Sequence, residues 1–202
     1  MNSRTSGDAS EPRAARTLQK LSDALLRLLA REELAEVSVT ELCREAGVHR
    51  TTFYGHYAGV EDLAAAVFAG LLDDLSAVSL TSEHLETADE ISRTYVGTLE
   101  NLLARVAEAR PVYRALFSAQ FSGGFRAQLA ARMRSRVQLA LDEWRARGVA
   151  SDVDTALASA YIAGGLVGAI EAWSVSDKTD AAGHAREILA LMPAWWPSPA
   201  PS

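Results

Sequence analysis

Arg50, Thr51, Thr52, Tyr54 and His56 are the side chains whose types and spacing can do chemistry together. All can donate hydrogen bonds, and no Asp or Glu occurs from Ala46 through Val60. Donors unopposed by carboxylates suit a polyanion, because phosphate attraction supplies most nucleic-acid affinity that does not depend on base sequence. At about 100° per residue, a helix that turns Phe53 and Tyr57 inward aims Thr51 and Gly55 outward. Tyr54 and Thr52 then flank that face, with Arg50 and His56 nearer its rim. The competing arrangement, a plain helical hairpin with Phe53, Tyr54 and Tyr57 all in the core, asks three aromatics within five residues to face one way. A short helix cannot do that, so Tyr54 keeps its phenol half-exposed, where it can donate to phosphate.

Covalent and metal chemistry find little support. The four histidines, His49, His56, His84 and His184, have no H-x-x-x-H or E-x-x-H spacing, so neither a metal nor a cofactor is expected. Cys43, the only cysteine, lies beside no base and reads as a small buried hydrophobe; it allows no intrachain disulfide. Gly164 to Gly168 follow no strand and read as helix packing, not a phosphate loop. Asp73 and Asp74 are adjacent on a helix and diverge. No catalytic residue is expected.

The segment Ser38 to Tyr57, SVTELCREAGVHRTTFYGHY, must position the donors. Ser38 and Glu41 form an S-x-x-E box in which hydroxyl and carboxylate satisfy each other's amides. A helix to about Ala46 buries Val39, Leu42, Cys43 and Ala46. Gly47 follows where a left-handed residue ends a helix, Val48 plugs the turn, and His49 or Arg50 opens a second helix. Two short helices so joined can lay the second in a major groove.

These residues are similar to those of the tetracycline-repressor-like family of bacterial regulators, which carry a capped helix, Ala-Gly-Val, a Thr- or Ser-rich start and Phe-Tyr-x-His-Phe/Tyr. The matching residues here are Ala46, Gly47, Val48, Thr51, Thr52, Phe53, Tyr54, His56 and Tyr57, and the likeness covers about residues 14 to 74. It implies that Tyr54 and His56 contact phosphates, that Arg50, Thr51 and Thr52 touch bases or nearby phosphates, and that Thr40 approaches the backbone. With His49 and Gly55 these form the expected DNA-binding set. Val60 stands where the family commonly has Lys, and Gly55 where a larger side chain is frequent. Both remove contacts, leaving more of the affinity to the fourth helix's amide dipole and to DNA shape.

Composition fits. The 202 residues carry a net charge of −6 and 49% hydrophobic residues, enough for a sizeable core. Residues 1–60 hold eight Lys/Arg against eight Asp/Glu, and residues 61–202 hold twelve against eighteen. The acidic excess therefore lies outside the motif, and local surface decides binding. The first residues lack the apolar core of a secretory signal, and a cytoplasmic location is expected.

The fold class expected is all-α: an N-terminal three-helix helix-turn-helix DNA-binding domain plus a C-terminal helical ligand-binding and dimerisation domain. The boundaries read as a flexible arm at 1–13, the DNA-binding domain at 14–74 with its motif at 38–57, the helical domain at 75–192 and a tail at 193–202. Helix one, about Ala14 to Glu32, places Leu18, Leu21, Leu25, Leu28 and Leu29 on one stripe. Helix four starts near Gly59 with Glu61 and Asp62 in its first turn and repeats Leu63, Val67, Leu71 and Leu75. After a polar loop, Ser79 to Thr87, helices are expected at about 88–108, 111–119, 125–147, 152–174 and 181–191. Arg126, Arg132, Arg134 and Arg136 read as a solvated face interlaced with core.

Large aromatics among small residues can wall a cavity or interdigitate as solid core. Most relatives hold a small effector between these helices, which implies a pocket of Tyr95, Thr98, Asn101, Tyr113, Phe117, Phe121, Trp144 and Tyr161. Ala156, Ala160, Gly164, Gly168 and Ala172 recur at intervals of four, a smooth stripe that lets another helix approach. The uncharged span Ala156 to Ile170 is fifteen residues, short of the roughly 20 that cross a bilayer, so no membrane is expected. In the resembling family the last two long helices pair with their twins, which adds Ile188 to the interface. A lone motif offers few base contacts, and two copies roughly 34 to 36 Å apart are the usual remedy. The expected partners are thus a double-stranded DNA operator, a second copy of this chain and an unknown small organic effector. The function expected is a ligand-responsive transcriptional repressor on a pseudo-palindromic operator; the alternative is a helical small-molecule-binding protein or enzyme that keeps the motif as scaffold.

Overall fold

The structure, a computed structural model, describes residues 11–75, 88–118, 122–146 and 152–196. Among these are nine α-helices and no strand. The chain divides into two compact units, Met1–Val67 and Phe68–Ser202, so the division falls seven residues before the expected boundary at 74. The loop expected at Ser79 to Thr87, residues 1–10 of the arm, Gln120, Phe121 and residues 197–202 of the tail lie outside the described residues.

In the first unit, α1 (Glu11–Leu29), α2 (Val39–Ala46) and α3 (Arg50–Tyr54) surround a small leucine core, and the fourth helix, α4 (Val60–Leu75), begins there. Leu21, Leu25 and Leu28 of the expected stripe are buried, with Leu18 and Leu29 partly so. The helix begins at Glu11, so residues 11–13 extend it and are not arm. Glu45 of α2 ties the two longer helices together: Arg27 Nε donates to it at 2.8 Å and Arg31 lies at 3.6 Å. On α4 the buried positions are Val60, Leu63, Ala64, Phe68 and Leu72, whereas Val67 and Leu71 are only partly covered. The inward face is thus rotated by about one residue from the expected stripe, because Phe68 is the largest apolar group on the helix and takes the interior.

The second unit holds α5 (Ala88–Glu108), α6 (Arg110–Phe117), α7 (Ser122–Ala146), α8 (Thr155–Val175) and α9 (Ala181–Ala190). Helix α8 packs against α5, α6 and α7, while α9 lies on α5. Helix α7 begins three residues before the expected start at 125, so Gly123 and Gly124 fall inside its first turn. Asp154 caps α8, accepting from the amides of Ala156 and Leu157. Its other end is closed by two arginines of α6. Arg110 donates to the carbonyls of Trp173 and Lys178, and Arg114 to those of Ser174, Val175 and Ser176. Five fixed donors per guanidinium satisfy the last-turn carbonyls of α8 and oppose its negative dipole end.

Trp173 sits at the centre of this end, 1% exposed. Its Nε1 donates to the Leu103 carbonyl at 2.8 Å, His184 stacks on it at 4.9 Å between ring centroids, and Arg110 lies over its ring. Of the four arginines of α7 expected on a solvated face, Arg134 and Arg126 are exposed and Arg132 and Arg136 partly so, and three of them also reach carboxylates. Arg136 and Arg132 both pair with Asp73, and Arg126 makes a two-pronged bond to Glu171 of α8. Their scatter around α7 reflects different partners on different helices, which spacing along one helix cannot show.

Candidate nucleic-acid interface

Three local devices set the geometry of α2 and α3. The Ser38 hydroxyl accepts from the Glu41 amide at 3.2 Å; the Glu41 carboxylate, expected to reach back to Ser38, instead accepts from Arg44. A longer cation one turn on is a stronger partner for a carboxylate than a neutral amide. Gly47 then ends α2 at φ 63° and ψ 36°. Its amide bonds the Arg44 carbonyl and that of Val48 the Cys43 carbonyl, the paired closure that a left-handed residue allows. His49 opens α3: its Nδ1 accepts from the Thr51 amide at 3.4 Å and lies 3.0 Å from the Thr51 hydroxyl. An Nδ1 that accepts leaves the ring proton on Nε2, so His49 presents a donor on its other edge.

Phe53 anchors the short helix at 0% exposure. Gly55 caps it, and Tyr57 follows the helix rather than belonging to it, although the Tyr57 amide still bonds the Phe53 carbonyl and the rings lie 5.9 Å apart. Burial raises the Tyr57 phenol above its ordinary value, and nearby Asp62 raises it further. With Phe53 inward, Thr40, His49, Arg50, Thr51, Thr52, Tyr54, Gly55 and His56 are all exposed. Tyr54 is 51% exposed and stands edge-on to Phe53 at 5.4 Å, with the Arg50 guanidinium 6.0 Å from its ring. The fold therefore presents the expected DNA-binding set on the surface of one unit.

Two of the flanking carboxylates are engaged. Glu45 is bound by Arg27 and Arg31, and Asp62 accepts from the Ala58 amide at 3.2 Å. The start of α4 carries Glu61 and Asp62 in its first turn, and Val60 is 4% exposed. Two carboxylates at that amide end oppose the attraction of its dipole for a phosphate.

The structure adds two residues. Thr17 and Lys20 of α1, with His49, Thr52 and His56, line a depression of about 360 Å³ floored by Gly47 and Val48. A cation, two rings and two hydroxyls around a shallow floor suit a phosphate better than an apolar ligand. Lys20 immediately precedes Leu21 of the buried stripe, so helical phase could have placed it outward, but only the fold brings α1 beside the turn.

Cys43 is buried, and that burial raises its thiol above the ordinary value although Arg50 pulls the other way. Among the described residues no group of three or more His, Cys, Asp or Glu could hold a metal.

The residues expected to line an effector pocket are not brought together. Tyr113 and Phe117 interdigitate with Phe68 and Phe125, whereas Tyr95 and Trp144 form a second cluster with Trp196. Thr98 is partly buried, but Asn101 is exposed and Tyr161 is 69% exposed. Helical phase explains both corrections: Tyr161 lies on the outward face of α8, opposite Ile162 and Ala163.

That outward face contains Ala156, Gly164, Gly168 and Ala172, with Ala160 partly covered, and is extended by Leu157 and Val175. A Cβ built at Gly164, Gly165 or Gly168 meets nothing within 4 Å, so packing inside the protomer does not require these glycines. Ile188, expected on the same interface, is 5% exposed and belongs to the protomer interior. Helix α8 is long and apolar enough to cross a membrane by length and composition, with 33% of its apolar window buried. That length exceeds the fifteen-residue uncharged span because Glu171, its only carboxylate, lies beyond it and is held by Arg126.

Comparison with known proteins places these features. Residues 21–67 match the family model described as bacterial regulatory proteins, tetR family. A curated relative from Bacillus subtilis (strain 168), named an uncharacterized HTH-type transcriptional regulator YxbF, is 29% identical over 96 residues, 45% of this chain. The match spans only about a quarter of that relative's length, 25%. Among solved structures, the TetR family repressor AlkX from Dietzia sp. aligns over 85% of this chain and 92% of its own, at 22% identity and a TM-score of 0.58. FadR from Bacillus subtilis, solved with stearoyl-CoA, aligns over 86% and 96% at 15% identity and a TM-score of 0.52. At those identities the structures speak to the fold, and the fold they share is the one derived above. The capped α2, the left-handed Gly47 turn and the Thr-Thr-Phe-Tyr helix all lie inside residues 21–67, the segment that matches the tetR family of bacterial regulatory proteins.

Proposed function

We propose that the chain is a sequence-specific, cytoplasmic DNA-binding transcriptional regulator, acting as a homodimeric repressor that a small organic effector releases. One observation carries the reading. A short helix pinned by a buried Phe53 turns Arg50, Thr51, Thr52, Tyr54 and His56 outward, with the flanking Glu45 and Asp62 each tied to a partner within the unit. Phosphates are met by Tyr54, His56, Lys20 and the His49 ring, and base edges by Arg50, Thr51 and Thr52. The uncharged outward face of α8, whose glycines no neighbour crowds, supports pairing with a second copy and hence two half-sites on an operator. The relatives' names include a repressor implicated in biodegradation of n-alkanes and a regulator complexed with stearoyl-CoA, which supports an organic effector for the second unit. Such an effector has leverage equal to its preference for one state of the dimer over the other.

Fluorescence-anisotropy titration against DNA upstream of the chain's own gene, at fixed salt and with random-sequence competitor, tests the reading. Arg50→Ala is expected to weaken binding by about tenfold or more, and Tyr54→Phe by a few-fold. Unchanged affinity for both variants removes the recognition helix from the interface. Gly55 and the acidic first turn of α4 favour a second reading, a helical small-molecule-binding protein that keeps the motif as scaffold. Absence of competitor-resistant binding at micromolar protein selects it.

A further inference from the structure

Trp196 closes a cluster in the second unit that is aromatic in shape yet carries unanswered polarity. Its ring lies 4.6 Å from Trp144 and 5.2 Å from Tyr95, while Tyr95 meets Trp144 edge-on at 5.7 Å. Trp144 is 2% exposed and Trp196 6%. Around them lie apolar groups such as Val137, Leu141, Ile162 and Met192. The Nε1 of Trp144 and the hydroxyls of Tyr95 and Ser92 are buried and meet no hydrogen-bond partner among the described residues. Burial pushes the Tyr95 phenol far above its ordinary value, so it stays protonated and able to donate.

A buried N–H or O–H without an acceptor costs about 1–3 kcal/mol, and natural cores rarely leave more than a few in one place. Here they gather where the covering group is Trp196, in the segment after α9, whose amide donates to the Pro193 carbonyl and whose ring packs on Trp144 and Tyr95. An indole edge cannot accept from the Trp144 N–H, because the indole nitrogen is itself a donor.

We propose that this cluster is a ligand seat occupied by the chain's own Trp196, and that its ligand is an uncharged, flat, indole-sized aromatic carrying a carbonyl or ether acceptor. The ligand displaces the Trp196 ring and accepts from Trp144 Nε1 and the Tyr95 hydroxyl. A charged ligand is disfavoured by the apolar lining, since desolvating a carboxylate costs far more than one hydrogen bond returns. The inference deepens the effector-responsive reading and rests on it for its regulatory meaning, but its test uses no DNA, so each fails separately.

Equilibrium dialysis of the full-length protein with coumarin, and with naphthalene as a ring of similar size lacking an acceptor, provides the test. Trp196→Ala is expected to bind coumarin at least tenfold more tightly than wild type and to prefer it to naphthalene. Adding Trp144→Phe, which keeps a ring and removes the N–H, is expected to erase that preference. Equal coumarin affinity in wild type and Trp196→Ala, no saturable coumarin binding to either, or a preference that survives Trp144→Phe overturns the proposal. Should Trp196→Ala fail to fold, amide exchange of wild type at saturating coumarin decides: faster exchange at the Trp196 amide supports displacement, and unchanged exchange sinks it.

Discussion

The two units solve the problem of buried polarity in opposite ways. In the first, every helix end near the recognition face is closed by a neighbour within five residues: Ser38 for α2, Gly47 for its exit, His49 for α3. In the second, local caps such as Asp154 are joined by closure across long sequence separations, as when Arg110 and Arg114 cap α8 some sixty residues away. Where polarity is not answered, it collects: Ser92, Tyr95, Tyr113 and Trp144 each keep a buried polar atom without a partner among the described residues. Under the proposed function, a surface that presents one face to an operator gains from local, redundant closure, and a body that takes up a ligand gains from unanswered donors that a guest can satisfy.

The comparison breaks most visibly at Phe53. Truncation to Ala removes the fully buried anchor of α3 and is expected to cost about 3–5 kcal/mol and to abolish DNA binding. All four tryptophans, Trp144, Trp173, Trp195 and Trp196, lie in the second unit. Their emission maximum should therefore stay native while the far-ultraviolet signal loses helix; a concurrent red shift would mean that the two units do not respond separately. The body's own weak point is Arg114. Arg114→Ala leaves the Ser174, Val175 and Ser176 carbonyls without a charged donor and is expected to cost about 1.5–3 kcal/mol in chemical denaturation. Arg114→Lys should recover little of that, because one ammonium cannot reproduce the forked geometry. Full recovery by Lys would show that charge near the helix end, and not the individual bonds, matters.

The same contrast explains what the sequence discloses. The recognition face is written within twenty residues, and a capping serine, a glycine at the helix exit and a Phe-Tyr spacing of four specify it without help from distant chain. Even there the reach is limited by competition: Glu41 prefers Arg44 to the Ser38 amide, and α3 ends at Tyr54 so that Tyr57 packs from beyond the helix. In the body, the helices α5 and α9 were legible from periodicity almost to the residue. The partners of Arg126, Arg132 and Arg136 were not, because an arginine's periodicity reports its own helix and says nothing of an Asp73 sixty residues earlier. Tyr161 and Ile188 went astray for a related reason. Residue type suggested an aromatic lining and an apolar interface, whereas the rotation of α8 and α9 in the bundle turned the first outward and the second inward.

Two smaller perturbations sharpen the case for local closure. At Gly47 an added Cβ meets nothing within 4 Å, so Gly47→Ala tests the left-handed backbone alone. About 1–2 kcal/mol is expected, with Ser38→Ala near 1 kcal/mol, both read as shifts in denaturation midpoint at constant slope. Loss of less than a few tenths at Gly47 would mean that the turn relaxes without strain.

The smallest effect is the pH dependence carried by Glu45. Its carboxyl is held below the ordinary 4.5, first by the hydrogen bond from Arg27 and then by the charges of Arg27 and Arg31. A carboxyl depressed in the folded state binds protons more readily when unfolded, so its contribution is fully present above the ordinary value. It is lost as pH falls through the depressed one. Glu45→Gln keeps the shape and removes the charge. Wild type should therefore melt slightly higher than Glu45→Gln at neutral pH, and the two curves should converge on acidification below 4.5. Because the pair is solvent-exposed, high salt should close most of the gap at neutral pH as well. A gap that persists in acid would assign the difference to packing of the Glu45 stem, and α1 and α2 would then be joined by contact and not by charge.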